Sequence, residues 1–141
     1  MSAALVPQCR DEVVGLHEFF VDWFAGHVSD SAVVFARFTA AVHANFTMVL
    51  PSGQLVDKAA VAHGLRSAYG SQAGRDFRIE IHDVTERHAA DGVVVLTYQE
   101  WQFEGPRVGN ARTSTAVFVA APHAPNGVVW RHLHETFLGP A

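Results

Sequence analysis

Cysteine is almost missing from this chain. Cys9 stands alone, so no intramolecular disulfide can form and the Cys-rich zinc motifs are excluded. Charge is sparse too. Only 17% of residues are charged, the formal net charge is −4, and no basic run occurs. A nucleic-acid partner is therefore not expected, and the sheet-stacking motif of RNA-binding domains is absent. No apolar run approaches the ~18 residues that suggest a membrane span. The segment Met1 to Pro7 lacks a basic start and a cleavage signature. No membrane association and a soluble, reducing, cytoplasmic location are the expectations. Gly64, Gly70 and Gly74 do not follow a strand, so no phosphate-cradling loop is present. No internal repeat or low-complexity segment breaks the chain, and no cofactor is expected.

Apolar residues are plentiful. They make up 49% of 141 residues, enough for one globular domain over residues 1–141 with a real core. From Cys9 to Gly26, the residues Val13, Leu16, Phe20, Trp23 and Phe24 fall three or four apart with one adjacent pair. That spacing predicts an amphipathic helix. Asp11 and Glu12 are expected in its first turn, and Gly26 at its end. Ser29, Asp30 and Ser31 offer caps for a second helix carrying Val34, Phe35 and Phe38. His43 to Leu50 alternates like a strand, and Pro51-Ser52-Gly53 is a turn. Asp57 caps a third helix whose stripe is Val61, Leu65, Ala68 and Tyr69, ended by Gly70 and Gly74.

The second half reads as sheet. Strands are predicted over Phe77–Arg87, Val93–Phe103, Ala111–Ala121 and Val128–Leu138. Asp91-Gly92, Gly105-Pro106 and Asn126-Gly127 separate them with hairpin chemistry. Helices followed by a meander of long strands give an α+β class: N-terminal helices packed on a strongly curved antiparallel sheet, forming a cone with a pocket. The convex side of such a sheet needs cover, and a second copy of the chain is the simplest, so a homodimer is expected.

Trp130-Arg131-His132-Leu133-His134-Glu135-Thr136 carries the most chemical information. Regular alternation puts Trp130, His132, His134 and Thr136 on one face. An indole and two imidazoles suit a pocket wall, because each needs a hydrogen-bond partner. His134 and His132 are the candidate acid–base groups, since imidazole titrates near neutrality. Trp23, His43, Gln99, Trp101 and Trp130 are the candidate ligand-binding residues, an aromatic lining with a few polar groups. The H-x-H spacing also occurs in metal sites, but no pattern fixes a third ligand, and no metal is expected. His17, His27, His63, His88 and His123 read as surface or boundary residues. Glu100, Glu135, Arg112 and Arg131 read as an ion-pair network on the outer or dimer face, and Cys9 as an inert thiol.

The chain also resembles the nuclear transport factor 2-like superfamily, the cystatin-like cone fold. His43-Ala44-Asn45-Phe46-Thr47-Met48 before Pro51-Ser52-Gly53 carries the likeness, as do Tyr98-Gln99-Glu100-Trp101-Gln102, Ser114-Thr115-Ala116-Val117-Phe118 and the last strand. The subgroup it resembles has no settled function, and the superfamily includes SnoaL-like cyclases and pure association domains. In ketosteroid isomerase, the resemblance would place a carboxylate base just before the Pro-x-Gly turn and a tyrosine on the first helix. Here those positions offer Leu50, and Phe19, Phe20 and Trp23, so steroid isomerisation is disfavoured. Two readings stay open. One is a cone that binds a small hydrophobic organic ligand, with lyase or isomerase chemistry at pocket His and Trp residues. The other is a non-enzymatic association module using the convex sheet face.

Overall fold

The computed structural model describes residues 2–139. A short 3-10 turn leads into α1 (Val6–Ala25), α2 (Ala32–Thr39), β1 (Val42–Val49), β2 (Leu55–Asp57) and α3 (Lys58–Ser67). Four long strands follow: β3 (Phe77–Ala90), β4 (Val93–Glu104), β5 (Arg107–Ala120) and β6 (Val128–Phe137). The six strands form one sheet in the order β2-β1-β6-β5-β4-β3. The meander is antiparallel as expected. β1, however, runs parallel to β6, so the sheet is mixed rather than wholly antiparallel. It curves into an α+β cone that does not close, with α1 packed on its inner face.

Local chemistry explains the boundaries. Ser31 caps α2 by accepting from Val34 N at 3.2 Å, and Asp57 caps α3 by accepting from Ala60 N at 2.9 Å. α1 ends at Gly26, whose φ of 72° is left-handed, and His27 N returns to Asp22 O at 2.9 Å. Asp91 and Gly92 both have positive φ, which a two-residue hairpin turn between Ala90 and Val93 requires. Two expectations are displaced. α1 starts at Val6 with Pro7 near its N-terminus, so Asp11 and Glu12 lie beyond the first turn. α3 stops at Ser67, before Gly70 and Gly74.

The core lies between α1 and the concave sheet face. Cys9, Val13, Leu16 and Trp23 of α1 meet Val94, Leu96, Phe118, Val128 and Trp130 of the sheet. Glu12 is buried among them without exposure. Its carboxylate accepts four hydrogen bonds: Arg37 Nη1 and Nη2, each at 3.0 Å, and Asn126 Nδ2 and Trp130 Nε1, each at 2.9 Å. One side chain thus ties α1 to α2, to the β5–β6 loop and to β6. Among the described residues, no helix is long and apolar enough to cross a membrane.

Candidate functional site

Strand register builds the site. On the concave face, Val94, Phe118 and Trp130 form one row across β4, β5 and β6. Leu96, Ala116 and Leu133 form the next, then Tyr98, Ser114 and Glu135. Glu100 and Arg112 form the last. The face therefore grades from wholly apolar to charged along the strands. A cavity of about 180 Å³ sits over this gradient. Leu16, Phe20 and Phe24 of α1 line one side, with Phe38, Phe46, Met48, Leu65, Trp130 and Leu133 around it. His17, Glu100, Gln102, Arg112 and Glu135 make its polar part.

Two buried ion pairs hold that polar part. His17 Nε2 donates to Glu100 Oε1 at 3.0 Å, and His17 Nδ1 donates to Val13 O at 2.6 Å. Burial by itself would lower the pKa of His17. The Glu100 charge and the hydrogen bonds to Glu100 and Val13 outweigh it, and the pKa stands above its ordinary 6.5. Burial would likewise raise Glu100, but His17, Arg112 and a 2.7 Å bond from Gln102 Nε2 pull its pKa down to about 2. In the second pair, Arg112 Nη1 donates to Glu135 Oε1 at 2.9 Å, and Nη2 donates to Asn110 Oδ1 at 2.7 Å. Burial and repulsion from Glu100 raise the Glu135 pKa, against the pull of Arg112. The arrangement suits proton transfer at one end of an apolar chamber. Among the described residues, no three His, Cys, Asp or Glu side chains are grouped to hold a metal.

The profile of the family described as Sucrose-6-phosphate phosphohydrolase C-terminal matches residues 9–139. The chain belongs to that family. It is a member of the nuclear transport factor 2-like superfamily, as the cone fold also shows. Sucrose-phosphatase 1 of Nicotiana tabacum is 24% identical over 127 residues, covering 90% of this chain and 30% of the relative. The chain thus spans about a third of the length of the curated relatives it matches. A solved NTF-2 like protein of unknown function from Pseudomonas aeruginosa is 31% identical, with a TM-score of 0.81 over 94% of this chain and 99% of that one. A structure described as a calcium/calmodulin-dependent protein kinase type II association domain, from Thiobacillus denitrificans, is 26% identical. Its TM-score is 0.56, over 77% of this chain and 88% of that one.

Within this cone, the residues singled out in the sequence separate. Trp130 lines the cavity. Trp23 is buried beside it, packed on Phe35 and Tyr69 at ring distances of 4.9 and 4.7 Å, with Nε1 bonded to Leu65 O. His132 and His134 do not join Trp130. β6 carries a bulge at Arg131: Trp130 pairs with Phe118, but His132 pairs with Val117. The extra residue reverses the alternation, so Leu133 and Glu135 turn inward, and His134 is exposed on the opposite face. His132 Nδ1 instead meets Thr47 Oγ1 at 2.8 Å. Gln99 and Trp101 also lie on that outer face, bonded to each other, in a shallow groove with Glu80, His82 and Phe103. His43 is half-buried on β1, and its ring accepts from Asn45 N.

The polar part of the cavity comes from groups the sequence reading placed elsewhere. Glu100, Arg112 and Glu135 do form ion pairs, but on the concave face rather than the outer one. Arg131 takes no part: its guanidinium bonds Asn45 O. His17 is buried, not a surface residue. A signal for it existed, because His17 falls four residues after Val13 and three before Phe20, inside the apolar stripe of α1.

Proposed function

We propose that the cone is a binding chamber for a small hydrophobic organic molecule, and that the chemistry it supports is proton transfer of the lyase or isomerase type at its polar end. The observation that carries this reading is a concave cavity of about 180 Å³ whose walls are apolar except at Gln102 and the His17–Glu100 and Arg112–Glu135 pairs. An apolar cavity of ~150 Å³ in another protein accommodates benzene. The volume therefore supports a guest of single-ring or short-chain size. Thermal unfolding with a panel of such fragments tests the reading: binders raise the melting temperature of the native chain. Leu133→Trp, which fills the cavity from β6, removes the rise. A panel with no effect, or a rise that persists unchanged in the filled variant, refutes it.

A second reading rests on the outer face. Trp101 and Phe103 are only partly buried there, in a groove with Gln99, Glu80 and His82. The likeness to a kinase association domain supports self-association. This outer face, which also carries His132 and His134, offers the surface for it. Sedimentation of the native chain and of Trp101→Glu tests it. A dimer that the substitution dissociates is the expected result, and a wild-type monomer refutes it.

A further inference from the structure

Most polar atoms that face the cavity are already paired, and the unpartnered Tyr98 hydroxyl and Ser114 Oγ are fully shielded. His17 has both ring nitrogens engaged, and Glu100 has both oxygens engaged, by His17 and Gln102. Gln102 Oε1 accepts from Asn110 Nδ2 at 3.0 Å. Arg112 spends one N–H of Nη1 on Glu135 and one of Nη2 on Asn110, and its Nε, which has no partner, is fully shielded. Glu135 differs. Its residue is only 4% exposed, and Oε1 is pinned by Arg112. Among the described residues, no group donates to Oε2, and this oxygen is not among the fully shielded atoms. Because Glu135 lines the cavity, the open oxygen is an acceptor presented to its interior.

Charge decides what it accepts from. Each cation in the polar part is already paired with a carboxylate, so an ionised guest would bring an unmatched charge into an apolar chamber. An uncharged guest with one hydroxyl brings a donor where a free acceptor waits, and an apolar body where the walls are aromatic and aliphatic. We infer that the cavity selects an uncharged, single-ring or short-chain alcohol or phenol, whose hydroxyl donates to Glu135 Oε2. This rests on the binding-chamber reading and adds the chemical class of the guest.

Three probes of similar size test the inference on the full chain by calorimetry: toluene, p-cresol and benzoate. p-Cresol binds ~10-fold or more tightly than toluene, as a hydrogen bond to a charged group implies, and benzoate binds more weakly than p-cresol. In Glu135→Gln the amide oxygen faces Arg112 and the amide nitrogen faces the cavity. Toluene binding is then retained, while the advantage of p-cresol shrinks to that of a neutral bond from the amide N–H to the phenol oxygen. Equal binding of toluene and p-cresol to the native chain overturns the inference and leaves the chamber standing. Tighter binding of benzoate does the same. A preference for p-cresol that survives undiminished in Glu135→Gln moves the hydroxyl away from Glu135 and also overturns it. Failure of all three probes removes both the inference and the chamber.

Discussion

Replacing Glu12 by Gln tests the link between α1 and the wall of the cavity. The substitution keeps shape and volume. It removes the charge opposite Arg37 and converts one of two acceptor oxygens into a donor. Each oxygen now receives two N–H groups, so whichever position becomes the amide nitrogen faces two donors. Breaking a buried ion pair on one side costs about 3–5 kcal/mol. The Arg37 side chain is 22% exposed and can recover some hydration, which favours the lower end, about 3 kcal/mol. For a domain of this size that is a fall of roughly 10 °C in melting temperature. Urea unfolding followed by tryptophan fluorescence measures it, and the double-mutant cycle with Arg37→Met isolates the pair. The cycle is expected to show coupling of about 1.5 kcal/mol or more. A single-mutant loss below about 1 kcal/mol, with additive behaviour in the cycle, would show that the carboxylate does not hold these elements together.

Stability should respond to pH through the His17–Glu100 pair. The folded pKa of His17 is raised, so its contribution is complete below the unfolded value near 6.5 and fades as pH rises through the folded value. Glu100 is depressed to about 2, so its contribution is present above its ordinary 4.5 and is lost as pH falls toward 2. Glu135 is raised and acts in the opposite sense on the acid side, since the folded state holds its proton more tightly. Urea midpoints taken across pH should decline above 6.5, and His17→Asn should flatten that limb; an unchanged slope sinks the assignment. Cys9 is buried, with its pKa pushed up to about 12 by burial and by Glu12. A thiol reagent should therefore label it only as fast as the protein opens, and rapid labelling of the native chain contradicts the burial. Lys58 Nζ donates to Thr39 O and Val42 O, each at 2.8 Å, which clamps the α2–β1 junction to α3. Lys58→Met should lower stability by about 1–2 kcal/mol in urea unfolding, and a neutral result refutes the clamp.

Most of the fold was legible because its signals are local. Apolar spacing of three and four marked α1. Asp-Gly and Gly-Pro marked two hairpin turns, and the Ser29-Asp30-Ser31 run and Asp57 marked two helix starts, which the Ser31 and Asp57 side chains cap. The parallel pairing of β1 with β6 carries no such mark. It is decided by which strand edges remain free once the meander has formed, a property of the whole sheet. β2 was missed for a related reason: three residues, Leu55–Asp57, are too few to show alternation.

The site was less legible, and one residue accounts for much of the difference. Alternation assigns faces only while the pairing is regular. A bulge resets the phase, and nothing in Trp130-Arg131-His132 announces one. β1 is irregular at the same place, since Val42 pairs with Trp130 but Thr47 pairs with His132. Arg131 Nη1 bonds Asn45 O at 2.6 Å within that irregular stretch. Both strands thus depart from regular pairing around the same residue, and the Arg131 side chain spans the gap between them. The consequence for function is direct. Without the bulge, His132 and His134 would line the chamber and Glu135 would face outward. With it, the imidazoles leave the interior, and a carboxylate partnered by Arg112 takes their place. Which titratable side chain of β6 faces the interior of this cone is therefore set by backbone pairing between β1, β5 and β6 rather than by the order of residues in β6 alone.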